Sequence, residues 1–106
     1  MIEAEIYKAL GDPVRLQMVM RLANGSPCTI SQLTQDLGIT RQGARKQLQV
    51  LVDAKMVQLS SQGRETRVDL DIATLQQAHR FIAELERRWD QRLAALKSFV
   101  ETEFEH

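Results

Sequence analysis

The stretch TISQLTQDLGITRQGARKQLQVLVDAK, Thr29 to Lys55, divides into two short helical patterns on either side of Gly38. Thr29 and Gln32 stand three apart, so that hydroxyl and amide can cap each other's backbone donors at a helix start. Ile30, Leu33 and Leu37 then recur at spacings of three and four, one buried stripe of a first helix. Gly38 is suited to the positive φ that a helix C-terminus favours, and Thr40 offers a fresh N-cap hydroxyl. The connection leaves room only for a sharp corner.

At about 100° per residue, the second pattern puts Ala44, Leu48, Leu51 and Val52 on one side and Gln42, Arg45, Lys46 and Gln49 on the other. Arg41 lies off that face but in the first turn. Two short helices meeting steeply, the second with a polar, cationic outer face, describe a helix-turn-helix, 29–55. Arginine can bond guanine bidentately in the major groove and glutamine adenine, so Gln42, Arg45 and Gln49 are assigned to base edges. Thr40, Arg41 and Lys46 are assigned to phosphates. Taken alone, the same face equally fits an ordinary solvated helix.

The next residues favour the first reading. Met56–Ser61 (MVQLSS) and Arg64–Leu70 (RETRVDL) alternate between apolar or β-branched and polar residues around Gln62-Gly63, which predicts a hairpin or wing over 56–70. Arg64 and Arg67 then stand where a wing meets phosphates or a minor groove, although either is also compatible with a merely solubilising charge. Upstream, Asp12 and Pro13 make an N-cap and first-turn pair, and Asn24-Gly25 closes the helix they start. Val14, Leu16, Met18, Val19 and Leu22 form its broad core stripe, and Arg15 is read as structural.

These segments resemble the ArsR family of winged helix-turn-helix repressors over most of the chain. The likeness is carried by ALGDPVRL (Ala9–Leu16), by Ile39-Thr40-Arg41-Gln42 leading to Leu48-Gln49-Val50-Leu51, and by the wing. It implies a mainly α fold with a small β-hairpin, dimeric through its N- and C-terminal helices, that binds double-stranded operator DNA and represses transcription. Position by position, the family's metal sites are not matched. Its Cys-x-Cys places hold Thr29 and Ser31, with Cys28 one residue out of register. Its C-terminal-helix places hold Asp69-x-Asp71 followed by Ile82 and Leu85. His79 and His106 lie off the pattern, and a transition metal wants three or four converging soft or imidazole ligands. No metal or cofactor is expected, and the signal stays unassigned: a small organic molecule, a thiol modification, a partner protein, or none beyond the protein's own concentration.

From Ala73 to about residue 103 the chain reads as one helix, with Leu75, Ala78, Ile82, Leu85, Trp89, Leu93, Leu96 and Val100 at spacings mostly of three and four. Some 30 helical residues span about 45 Å, more than a body this small can cover. The expected homodimer seam therefore joins Ile2, Ile6 and Leu10 to Leu85, Trp89, Leu93 and Leu96, with Phe81 and Phe99 adding bulk. The alternative is a helix folded back on its own protomer.

Composition agrees without having suggested any of this. The 106 residues suit one domain, 1–106, and carry 14 basic and 14 acidic side chains. The charge is unevenly spread: residues 40–67 hold six cations against two acids, whereas both flanks are net acidic. No secretory or bilayer-length apolar segment is visible and the lone Cys28 can make no internal disulfide, which together predict a cytoplasmic protein. No phosphate loop, nucleophile elbow or HExxH appears, so no enzyme is expected. A winged helix used as a protein-interaction module, or an activator, remains the alternative function. Such a module would tolerate neutral residues where this chain has Arg41, Gln42, Arg45, Lys46 and Gln49.

Overall fold

Asp12 accepts the backbone N–H groups of Val14 (2.8 Å) and Arg15 (3.1 Å), and Pro13 follows it with a fixed φ, so a helix starts where the sequence places it. The computed structural model describes residues 2–25 and 28–104, with the side chains of Ile2 and Phe104 excepted. The order is α1 (Ile2–Leu10), α2 (Pro13–Asn24), β1 (Cys28–Thr29), α3 (Ile30–Leu33), α4 (Arg41–Asp53), β2 (Val57–Gln62), β3 (Glu65–Leu70) and α5 (Ile72–Phe104). The result is a helix-turn-helix followed by a wing and a long C-terminal helix.

Met18, Leu33, Leu51, Met56 and Val68 are fully buried where α2, α3, α4 and the sheet meet. Each contributes about 2 kcal/mol by leaving water. Ala44 and Leu48 turn the inner face of α4 into the same core, so its polar face is directed outward.

Four features depart from the sequence reading. The first helix of the pair ends at Leu33 rather than running towards Gly38. The Thr34 hydroxyl donates to the Ile30 carbonyl at 2.8 Å, and Asp36 (φ 55°) and Gly38 (φ 74°) turn the chain twice through left-handed conformations. Arg21 of α2 donates to the carbonyls of Leu33, Gln35 and Asp36 and holds this corner closed. Leu37 still reaches the core, but from the corner rather than from a helix.

The wing gains a third strand. Cys28 pairs with Val68 and Thr29 with Arg67, which gives an antiparallel sheet in the order β1-β3-β2. Thr29 thus ends a strand while its hydroxyl caps α3 by the expected reciprocal bonds with Gln32, both 3.1 Å. Met56 is a buried plug ahead of β2 rather than its first residue. The hairpin turn is Gly63-Arg64, since Gln62 pairs with Glu65, and positive φ at Gly63 alone (63°) is the II′ pattern that suits strand twist.

Asp71 caps α5 by accepting from Ala73 (3.1 Å) and Thr74 (3.4 Å), and the helix runs 33 residues. Ala78 is buried and Leu75 half-buried against the core. The Tyr7 hydroxyl on α1 donates to the Ala78 carbonyl at 2.6 Å, and the rings of Tyr7 and Phe81 lie 6.0 Å apart. Beyond Ile82 the helix leaves the body. The extents are 75 × 26 × 26 Å and the radius of gyration is 20.0 Å. A compact chain of this length has about 13 Å. No helix among the described residues is long and apolar enough to cross a membrane.

Candidate nucleic-acid interface

The outer face of α4 is set up by its cap. The Thr40 hydroxyl accepts the Gly43 N–H at 2.9 Å, which starts the helix at Arg41 and leaves that cation in the first turn. Arg41, Gln42, Arg45, Lys46 and Gln49 are all exposed.

Arg45 and Gln49 line a groove of about 420 Å³ between α4 and the wing, and Arg64 faces them from the hairpin turn. Its floor is apolar: Ile30, Leu48, Val52 and Leu59. Leu59 is 44 % exposed there. Arg41 shares with Arg45 a second hollow of about 400 Å³, between α3 and α4, beside Ser31, Thr34 and Gln35. Arg45 therefore borders both hollows, while Gln42 and Lys46 line neither.

The two wing arginines part company. Arg64 occupies the turn and reaches the groove. Arg67 sits next to Val68 on β3, and since successive residues of a strand face opposite ways, it lies on the side away from the core. It is half-buried, and its Nη1 donates to Gln62 Oε1 at 3.0 Å. Gln49 is also engaged, its Nε2 donating to Asp53 Oδ1 at 2.8 Å one turn on.

Arg15 is structural, as its sequence context implied. Its Nε donates to the Ala9 carbonyl at 2.7 Å, Nη2 to the Lys8 carbonyl at 3.2 Å, and Nη1 to Gln47 Oε1 at 2.6 Å. Gln47 and Arg21 were missed. Neither belongs to a local motif, and their partners lie 32 and 12 to 15 residues away.

The expected dimer seam divides. Ile6 is 0 % exposed inside its own protomer, on a helix that packs against α2 and α5, so it is withdrawn from the set that a partner can touch. Leu10 is half-buried against that core, and the Ile2 side chain lies outside the described residues. Leu85, Trp89, Leu93 and Leu96 are open, with Trp89 and Leu96 each 59 % exposed, and Phe99 and Val100 continue the face.

Among the described residues no three His, Cys, Asp or Glu side chains converge as metal ligands. Asp71 is occupied as the α5 cap and accepts Gln58 Nε2 at 3.2 Å. Cys28 is half-buried in β1 and His79 is exposed on α5; His106 lies outside the described residues.

A family model described as a helix-turn-helix domain matches residues 10–59. Among solved structures, the chain is similar to an ArsR-like transcriptional regulator from Rhodococcus sp. RHA1, with 30 % identity, 92 % of each chain covered and a TM-score of 0.81. The transcriptional repressor BigR from Xylella fastidiosa is 26 % identical over 76 % of this chain and 82 % of its own, with a TM-score of 0.59. A homodimeric winged helix-turn-helix DNA-binding domain from Mycobacterium bovis, a possible ArsR-family regulator, shares the fold at 22 % identity, covering 97 % and 85 % with a TM-score of 0.59. No curated protein sequence matches the chain.

Proposed function

The chain belongs to the ArsR family of winged helix-turn-helix transcriptional regulators, and from that premise we propose that it is a homodimeric repressor that binds a two-fold-symmetric operator in double-stranded DNA. The carrying observation is the exposed cationic face of α4, continued by Arg64 across the groove to the wing. Gln42, Arg45 and Gln49 read base edges in the major groove, while Thr40, Arg41, Lys46 and Arg64 hold phosphates. Arg67 joins the phosphate set from the outer face of the wing, after releasing Gln62.

Dimerisation follows from the open apolar face of α5 from Leu85 to Val100, a contiguous stripe of the kind monomeric proteins seldom leave in water. The Mycobacterium bovis relative is homodimeric, which supports the same arrangement here. Two reading helices related by a two-fold axis would enter successive major grooves about 10 base pairs apart. Occupation of a promoter then blocks transcription. The inducer in this reading is not a metal held at the family's two ligand sites, since Thr29, Ser31, Ile82 and Leu85 stand at those places.

Selection of genomic fragments around the protein's own gene, at about 150 mM salt to damp non-specific attraction, tests the reading. Enrichment of a site with two inverted half-sites is expected. Enrichment of none, with a dimer still present, would favour a winged helix acting as a protein-interaction module. Loss of reporter expression on deletion of the gene would make the protein an activator.

A further inference from the structure

The reading helix and the N-terminal helix scarcely touch. α1 rests chiefly on α5 and α2, and α4 on α2 and β2. Between α1 and α4 lies an open cleft of about 390 Å³, walled by Lys8 and Ala9 on one side, Val50 and Ala54 on the other, with Arg15 also on its wall. Arg15 spans the two helices. From α2 it donates to the Ala9 and Lys8 carbonyls in the last turn of α1, the second of which also accepts the Gly11 N–H, and to Gln47 Oε1 on α4. At the other end of this chain of contacts, α1 is bound to α5 through Tyr7 and the Ala78 carbonyl.

We propose that Arg15 and Gln47 are positioning residues that fix the angle of α4 against the α1–α5 frame, and so set the half-site spacing the dimer accepts. This rests on the dimeric DNA-reading function above. Ala44, Leu48 and Leu51 hold α4 in the core without the bridge, so the fold stands when it is cut. What is lost is the tie to α1. Adding or removing one base pair moves a half-site by about 3.4 Å and turns it by about 35°. Hydrogen bonds of 2.6 to 3.2 Å tolerate only a few tenths of an ångström before they fail, so a bridged pair of reading helices rejects such a shift. Gln47 touches no DNA in this scheme; it acts through Arg15.

Two measurements on the full chain test it. Spin labels at Ala4→Cys and Gln42→Cys, in a Cys28→Ser background diluted with unlabelled protein, report the distance between α1 and α4 within one protomer. Separately, the otherwise unmodified protein and its Gln47→Ala and Gln47→Glu variants are titrated with operators whose half-sites are at the selected spacing or one base pair either side.

Gln47→Ala should broaden the α1–α4 distance distribution and cut the preference for the selected spacing by about five- to tenfold, with affinity for a single half-site within about twofold. Gln47→Glu should restore both the narrow distribution and the preference, because its carboxylate takes the same guanidinium, even though the added charge weakens binding to every DNA alike. An unchanged distribution in Gln47→Ala would overturn the bridge. A broadened distribution with unchanged spacing preference would overturn its role in DNA reading. If the wild-type protein bound no two-fold site, the parent function would fall, and the distance measurement would still decide whether the bridge holds α4.

Discussion

The reading head, from α2 to β3, and the distal half of α5 carry apolar stripes at similar spacing and treat them in opposite ways. In the head, Met18, Leu33, Leu51 and Val68 are covered by one another within a single protomer. On α5, Leu85, Trp89, Leu93 and Leu96 recur at the three-and-four spacing that Ala44, Leu48 and Leu51 show on α4, yet stay open among the described residues. Helical periodicity therefore shows that a face seeks apolar cover, and says nothing of which chain supplies it. The head can be complete in one copy, whereas a helix of 33 residues that leaves a body 26 Å wide needs a second surface.

The largest effect that separates the two regions should come from the head. Leu51→Ala is expected to cost about 2 to 5 kcal/mol of stability in urea unfolding, because the site lies where α4, α2 and the sheet meet and cannot collapse freely. A loss below about 1 kcal/mol would mean that the head is not the independent core described. Trp89→Ala should leave the unfolding of the head nearly unchanged and weaken association by about 2 to 4 kcal/mol, read by sedimentation at low concentration. An undiminished dimer would remove Trp89 from the seam and return α5 to a role within one protomer.

Smaller effects sharpen the contrast at the DNA face. Arg45→Ala should cost about 1 to 3 kcal/mol and relax preference at one base position. Lys46→Ala should weaken all sequences alike and make the salt dependence shallower by about one unit of slope. Equal losses on operator and random DNA for both would end the division between base and phosphate contacts.

The smallest effect concerns α5 itself. Glu84 accepts from Arg87 at 3.0 Å and Arg88 at 3.0 Å, and those bonds hold its pKa below the ordinary 4.5 while raising that of Arg87. A depressed folded-state pKa stabilises above the unfolded value and is lost as pH falls through the lower one. Helicity by far-UV circular dichroism should therefore decline slightly as pH drops below about 4.5, and Glu84→Gln should make that decline shallower. The group is fully exposed, so the change is small and shrinks with salt.

Much of the head was legible because its signals are local. The Asp12-Pro13 start, the Thr29–Gln32 capping box and the Thr40 cap each involve residues within three positions of one another. Their geometry follows from backbone bonding whatever lies farther off. The early end of α3 escaped notice because it depends on Arg21 reaching three carbonyls from another helix. A two-residue β1 shows no alternation to read, and only its partner β3 makes it a strand. Arg64 and Arg67 stand three apart, so strand alternation alone sets them on opposite faces, and the turn at Gly63-Arg64 takes Arg64 out of the strand altogether.

By itself, the sequence determined the order of elements, the cationic outer side of α4 and the apolar side of α5, since each depends on residue type and periodicity along one segment. Only the tertiary structure decided that Ile6 is buried within its own protomer while Trp89 is left open, that Arg45, Gln49 and Arg64 border one groove, and that Arg15 joins α1 to α4. Those facts depend on which segments meet. Segments distant in the chain are brought together by close packing of the shared core, which no window along the sequence records.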